Sequence, residues 1–432
     1  MAVIMRQLLL WCSVLLSVSA WTSVCRFCRT RPRYLASPTS VETSIIASPL
    51  FKQASLLETE GFVAPAIAAF QIISTKFIHA SSAERAYIEL RLAHLENDGH
   101  GNLVQAEVHL RNALSFDNEA PSAVIVDQLG CILATQKCDN VESVFRKAVD
   151  LLPSGSDLRH WGPRFHLAVV QDLESQATWS LSSAASFASA GIPAEAIDSW
   201  EYARQNFNPD LLTTGVLYNG TRAVLAAATS FAAPLLQPSP SSQGGLVFEF
   251  GVSYGKSIRM LAELTSECRG WPSLSAKCID PNDILVTGFD TFTGLPEAWG
   301  NEAVGTYSTG GSLPLVPFGV ELVQGLFADT LGPYLDAMNC HEPRRPIAVA
   351  NIDCDLYQAT VDILHELGSR PGLIVPGTIL VFDEYFMYEG WREDEHKAFQ
   401  EACSKFGWQY EYVAWSLASK QVAARITSVA MA

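Results

Sequence analysis

The chain has 432 residues, 48% hydrophobic and 17% charged, with a formal net charge of −16. That length carries two or three domains with proper cores, and the composition excludes a disordered chain. Five of the 29 basic residues (Arg6, Arg26, Arg29, Arg31, Arg33) precede Glu42, leaving a body of 24 basic and 45 acidic residues that excludes nucleic acid and anionic membrane surfaces as partners.

Residues 1–45 read as a targeting leader in two parts. MAVIMRQLLLWCSVLLSVSA, residues 1–20, has a short basic start at Arg6, an apolar run and small residues before its end. That is a signal peptide, too short for a stable membrane span. The next stretch, from Trp21, is rich in Arg, Ser and Thr and lacks acid, which is transit-peptide composition. The order resembles the bipartite leaders of algae with secondary plastids. A plastid is the expected destination, with the ER lumen or secretion as the alternative. Asn219-Gly220-Thr221 is a formal glycosylation triplet, of a kind common by chance. Three of the ten cysteines (Cys12, Cys25, Cys28) fall in the leader, and the other seven are scattered and odd in number, so no disulfide framework is expected.

Residues 50–207 carry apolar positions at three and four spacing with abundant alanine, which predicts helices. LRNALSFD (110–117) and FRKAVDLL (145–152) align at a 35-residue offset. Elsewhere Phe70 lies four after Ala66, and Trp200 four after Ala196. The pattern resembles degenerate tetratricopeptide repeats, whose stacked helix pairs present a curved surface suited to a protein partner. An ordinary helical domain that caps the second half fits the same pattern. Residues 208–243 read as a linker and helical lead-in, closed by the Pro/Ser/Gly-rich PLLQPSPSSQGG (234–245).

From Gly244 to the end the rhythm changes. LVFEF (246–250), ILVTGF (284–289), VELVQG (320–325), IAVANI (347–352) and TILVF (378–382) are short apolar runs with helical patterns between several of them. That alternation predicts an α/β fold with a doubly wound parallel sheet. After a helix near 391–406, WQYEYVAW (408–415) and KQVAARI (420–426) read as a closing antiparallel pair.

The first strand runs into Glu249-Phe-Gly251-Val-Ser-Tyr-Gly255-Lys-Ser257. Glycines there let backbone approach a ligand at a helix N-terminus. The preceding acid suits a cationic or amino-acid-bearing ligand better than a phosphate. Asp290, closing the second strand, sits where a carboxylate takes both ribose hydroxyls of a nucleoside. Asp353 and Asp355 end the fourth strand, and if the strand runs that far they share one face. Asp383 and Glu384 end the fifth. Carboxylates gathered at one sheet edge repel unless a cation is shared, and hard oxygen donors suit Mg²⁺, or Mn²⁺ as second choice. Trp391, Tyr388 and His396 follow: the two aromatics line an acceptor pocket or simply pack, and His396 reads as a surface helix residue, with contact to substrate as the alternative.

The ordered string E-F-G-V-x-x-G-x-S, F-D-T-F-x-G-L-P-E-x-W, G-x-F-x-D-T-L, I-D-x-D-L-Y and D-E-Y, over about 244–426, resembles the macrocin-type O-methyltransferases. Those are metal-dependent enzymes that methylate sugar hydroxyls with S-adenosyl-L-methionine (SAM). The resemblance implies a Rossmann-like class I methyltransferase sheet and SAM contacts from Glu249, Gly251, Gly255, Ser257 and Asp290. It implies Asp353, Asp383 and Glu384 as metal ligands and Asp355 as general base. Glu384 departs from the pattern, which carries a second Asp there. The span from Glu249 to Asp290 is long, with an insertion around 266–283, and the helical half lies outside the pattern. The function so implied is metal-assisted methyl transfer to a hydroxyl of a sugar-like or other small-molecule acceptor. The alternatives are a non-catalytic scaffold and a metal-independent methyltransferase acting on an amine or carboxyl.

Overall fold

The computed structural model describes residues 45–430 apart from 78–79, 117–121, 153–160, 176, 216–219, 239–243, 271–283 and 339–344. Residues 1–44 of the leader, Asn219 of the glycosylation triplet and most of the insertion before the second strand lie outside the described residues.

The first half is helical: α1 (Pro49–Thr59), α2 (Val63–Lys76), α3 (Ser82–His94), α4 (Leu103–Phe116), α5 (Ala123–Thr135), α6 (Val141–Asp150), α7 (Trp161–Ser175), α8 (Leu181–Ser189) and α9 (Ala194–Asn206). Local chemistry starts several of them. Ser48 accepts from the Phe51 amide with Pro49 in the first turn, and Ser81 with Glu84 forms a reciprocal capping box at α3. From α1 to α7 each helix packs on the next in sequence. The small and large residues singled out by spacing fill the seams: Ala66, Phe70, Ala113, Phe145, Ala148, Ala196 and Trp200 are all fully buried. A five-residue π-helical turn, Leu95–Gly99, extends α3 and buries Asp98.

The lead-in folds as α10 (Pro209–Gly215), α11 (Thr221–Phe231) and α12 (Ala233–Leu236). Then come β1 (Leu246–Phe250), α13 (Lys256–Cys268), β2 (Val286–Asp290), β3 (Val320–Gln324), α14 (Phe327–Met338), β4 (Ile347–Ile352), α15 (Tyr357–Gly368), β5 (Ile379–Phe382), α16 (Glu395–Phe406), β6 (Gln409–Trp415) and β7 (Val422–Ser428). The seven strands lie in the order β3-β2-β1-β4-β5-β7-β6. β1 to β5 are parallel, and β7 inserts antiparallel between β5 and β6. In register, Phe250 lies beside Phe289 of β2 and Ile352 of β4, so these strands end level. This order with an antiparallel seventh strand is the Rossmann-like class I methyltransferase sheet.

The sheet is covered on both faces, which is why β1, β4 and β5 are buried at every position and read as unbroken apolar runs. Strand alternation splits their side chains. Val247, Val286, Val349 and Ile379 pack with Leu225 of α11 and Leu261 of α13. Phe248, Phe289, Leu380 and Phe382 pack with Leu335 of α14, Leu364 of α15 and Phe399 of α16. Thus α11, which precedes Gly244, is part of one covering layer.

The helical half is built into this core. Trp200 of α9 stacks on Trp415 of β6 at 6.1 Å between ring centroids, and the Trp415 indole donates to the Leu211 carbonyl at 2.9 Å. The Ser199 hydroxyl accepts from the Met387 amide at 2.9 Å. At the start of α13, next to the end of β1, Lys256 pairs with Asp98 at 2.5 Å and Arg259 donates to the Glu60 carbonyl at 3.0 Å. Gly61, at φ +75°, allows that approach: a Cβ there would lie 2.6 Å from Lys256 Cα. Among the described residues no helix is long and apolar enough to cross a membrane, and the described cysteines, Cys131, Cys138, Cys268, Cys354 and Cys403, are free.

Candidate active site

The site lies at the C-terminal ends of β1, β2, β4 and β5. Gly251, directly after β1, has φ +91°, and a Cβ there would meet the Asp353 carbonyl oxygen at 1.7 Å. Only glycine fits, and the close approach locks the first loop to the turn after β4. The Gly251 amide donates to the Phe289 carbonyl at 2.9 Å and the Asp353 amide to the Phe250 carbonyl at 2.8 Å. Gly255, at φ +82°, starts α13. In the first turn of that helix, the Ser257 hydroxyl donates to Glu249 Oε1 at 2.9 Å.

Glu249 is fully buried, its other oxygen accepting a long 3.4 Å bond from Asn351 Nδ2. Burial pushes its carboxyl up to about 8 against the lowering effect of those two donors. Asp290 serves the loop directly: Oδ2 accepts from the Val252 and Ser253 amides, each at 2.7 Å, and Oδ1 from the Phe292 amide at 2.6 Å. Its carboxylate therefore braces the glycine loop.

The acid set assembles differently from its expected geometry. β4 stops at Ile352, so Asp353 and Asp355 lie in a turn rather than on one strand face. The Leu356 amide closes that turn on the Cys354 carbonyl at 2.6 Å, and Asp355 takes a left-handed φ of +62°. The turn, not strand periodicity, brings both carboxyls to the site. Asp383 follows β5, with its amide on the Ile352 carbonyl at 3.0 Å. Burial pushes Asp353 well above the usual carboxylate range, reinforced by Asp383, Asp355 and Glu249. Burial likewise raises Asp355 to about 8, with Glu384 and Asp383 adding repulsion, and raises Asp383 against the hydrogen bond from Gln421. Glu384 is pushed up to about 7 by burial although Lys420 Nζ lies 2.8 Å from its Oε2.

Glu395, at the start of α16, completes the cluster and has no counterpart among the sequence candidates. It is fully buried; Oε2 accepts from the Glu384 amide at 3.1 Å, while Oε1 has no hydrogen-bond partner. Only the polarity of REDEHK marks it in sequence, and that polarity suggests a solvent face. Lys420 and Gln421 carry no sequence signal, because the β6–β7 turn brings them to β5. Asn351 could have been found, lying on the buried β4 two residues before Asp353.

His396 is a correction: it is buried, not a surface residue. Its ring lies 4.9 Å from Trp391, 5.1 Å from Tyr202 and 5.2 Å from Tyr385, and neither nitrogen has a partner. Burial lowers it to about 4. Trp391 packs in the same group and donates to Asp198 at 3.0 Å. Tyr388 stands at the rim, its hydroxyl donating to Asp394 at 3.1 Å and its ring meeting Trp299 at 5.6 Å. The segment from Asp290 to Trp299 thus folds over toward the acids.

Buried oxygen donors that repel one another, one of them unpartnered, form a set whose chemistry fits a hard divalent cation. Among the described residues the donor atoms of Asp353, Asp383 and Glu384 do not gather within 4.8 Å of one another, so holding one ion takes side-chain rotation.

No family model and no curated protein matches the chain. Among solved structures it is similar to apo CalS11, a TDP-rhamnose 3′-O-methyltransferase of calicheamicin biosynthesis, at 19% identity over 62% of this chain and 99% of that one, with a TM-score of 0.31. It is also similar to human N-acetylserotonin methyltransferase in complex with SAM, at 11% identity over 88% of this chain and 96% of that one, with a TM-score of 0.25.

Proposed function

We propose that the chain is a SAM-dependent O-methyltransferase that acts on a hydroxyl of a sugar-like or other small-molecule acceptor with help from Mg²⁺ or Mn²⁺. The observation that carries this reading is the acid set, Asp353, Asp355, Asp383, Glu384 and Glu395, beside the glycine loop of a class I methyltransferase sheet. Glu249 receives the ammonium of the methionine moiety, which supplies the charge its burial lacks. Gly251 and Gly255 give the backbone room for the cofactor, Ser257 orients Glu249, and Asp290 holds the loop and faces the ribose. Asp353, Asp383 and Glu384 hold the cation, which when bound supplies stabilisation of a developing alkoxide. Asp355 takes the hydroxyl proton; burial and its acidic neighbours raise its basicity toward the working range of a general base. The acceptor oxygen then attacks the sulfonium methyl, forming a C–O bond as the C–S bond breaks and leaving S-adenosylhomocysteine.

Lys420 favours a second reading, since its ammonium already offsets Glu384: methyl transfer without a metal. The test is a labelled-methyl screen of the full chain against glycans, glycolipids and phenols, with Mg²⁺ or with chelator. Mg²⁺-dependent labelling of a hydroxyl supports the proposal. Chelator-insensitive transfer supports the second reading, and absence of transfer to any acceptor in the presence of bound SAM favours a scaffold.

A further inference from the structure

The helical half holds a second constellation that methyl transfer does not use. Asp127 and Cys131 stand one turn apart on one face of α5, and His166 reaches them from α7. His166 Nδ1 lies 2.9 Å from Asp127 Oδ1 and 3.7 Å from Cys131 Sγ. All three donor atoms lie within 4.8 Å of one another, an arrangement found nowhere else among the described residues.

Both neighbours address the same ring nitrogen. A relay that activates the thiol would use the two nitrogens separately, one for the carboxylate and one for the sulfur. One nitrogen, one sulfur and one oxygen converging on a common point is instead the pattern of a shared ion. A tetrahedral Zn²⁺, with Zn–N about 2.0 Å and Zn–S about 2.3 Å, sets its nitrogen and sulfur ligands about 3.5 Å apart. The observed 3.7 Å is close to that separation. The corresponding N···O separation is about 3.3 Å, so the 2.9 Å pair needs to open by a few tenths of an ångström.

Charge and surroundings agree. Asp127 and Cys131 are buried at 6% and 1% exposure, while His166 reaches the edge. A thiolate and a carboxylate neutralise a dication, so the filled site carries no net buried charge. The Phe145 ring of α6, 5.5 Å from the His166 ring, supplies an apolar wall. The thiol–imidazole–carboxylate mixture is softer than the all-oxygen set at the sheet edge, and the two sites should select different metals.

We propose that Asp127, Cys131 and His166 bind one Zn²⁺ that ties α5 to α7 across α6. Binding releases the thiol proton, and any proton on Nδ1, to solvent. Three protein ligands leave a fourth position for water or for a side chain of a bound protein. The site staples the helical stack independently of catalysis.

The test uses the full chain, stripped with chelator and titrated with Co²⁺ and then Zn²⁺. The expected result is a thiolate-to-cobalt charge-transfer band that saturates at one equivalent and is displaced by Zn²⁺. Asp383→Asn, in the acid set, should leave the band unchanged. Cys131→Ser should abolish it, and His166→Asn should weaken Zn²⁺ binding more than tenfold. Should Cys131→Ser not fold, the His166→Asn titration decides alone. Absence of the band, its persistence in Cys131→Ser, or unchanged Zn²⁺ affinity in His166→Asn would overturn the proposal.

Discussion

Gly251→Ala probes the joint between the cofactor loop and the acid set. The new Cβ would meet the Asp353 carbonyl oxygen at 1.7 Å, whereas ordinary C···O contact needs about 3.3 Å. One of the two segments must therefore move by roughly 1.5 Å. The φ of +91° is itself hostile to a side chain, at about 1–2 kcal/mol. Displacement also endangers the two bonds that close the joint, Gly251 to Phe289 and Asp353 to Phe250, at about 1 kcal/mol each. The sum is about 3–4 kcal/mol, a drop in Tm of roughly 5–10 °C. Gly270→Ala is the control, because its φ is +69° but nothing lies within 4 Å of its Cβ; it should cost about 1–2 kcal/mol. Differential scanning calorimetry gives both values, and SAM titration of the folded variants shows whether the loop still binds. Equal destabilisation of the two variants, or wild-type SAM affinity in Gly251→Ala, would refute the coupling of loop and acids.

Other consequences follow from the same geometry. SAM affinity should rise as pH climbs toward about 8, because Glu249, held near 8 in the free chain, must lose its proton to receive an ammonium; each pH unit below that costs about tenfold, and calorimetry on Glu249→Gln should show weaker binding without that slope. Asp355→Asn should keep SAM binding and lose about 10²–10⁴ in turnover; near-normal rates would remove it as the base. His396 is held neutral at about 4 when folded and titrates near 6.5 unfolded, so acid protonates the unfolded chain first. That group alone should cost up to about 3 kcal/mol of stability between pH 6.5 and 4. The raised carboxylates act with the opposite sign in both proteins, so the measure is the difference in Tm between His396→Phe and wild type, which should widen in the variant's favour on acidification. Trp200→Ala should cost about 3–5 kcal/mol and lower the melting of the sheet domain and helical half together, since Trp200 stacks on Trp415. Two separated transitions, with the sheet domain unaffected, would contradict a continuous core.

Much of the fold was legible because parallel strands covered on both faces leave unbroken apolar runs; LVFEF and IAVANI match β1 and β4 residue for residue. The seam residues of the helical half were legible for a similar reason, small and large side chains at four spacing. The site was legible only as a set of acids. How Asp353 and Asp355 come together depends on a left-handed turn that strand periodicity does not describe. His396 reads as solvent-facing because its neighbours in sequence are charged, and the same polarity hides Glu395. Both are buried by the loop after β5 and by Tyr202 of α9, almost 200 residues earlier in the chain. Lys420 and Gln421 reach the acids only through antiparallel pairing of β7 with β5. Such long-range placements leave no local pattern to read.

The proposed function requires the sheet edge to bind SAM beside an acid set that recruits a metal. Its most direct test is calorimetric titration of the full chain with SAM, with and without Mg²⁺. One SAM per chain is expected, bound in both conditions and lost or severely weakened in Glu249→Gln. No saturable binding of SAM to the wild-type chain, with or without Mg²⁺, would contradict it.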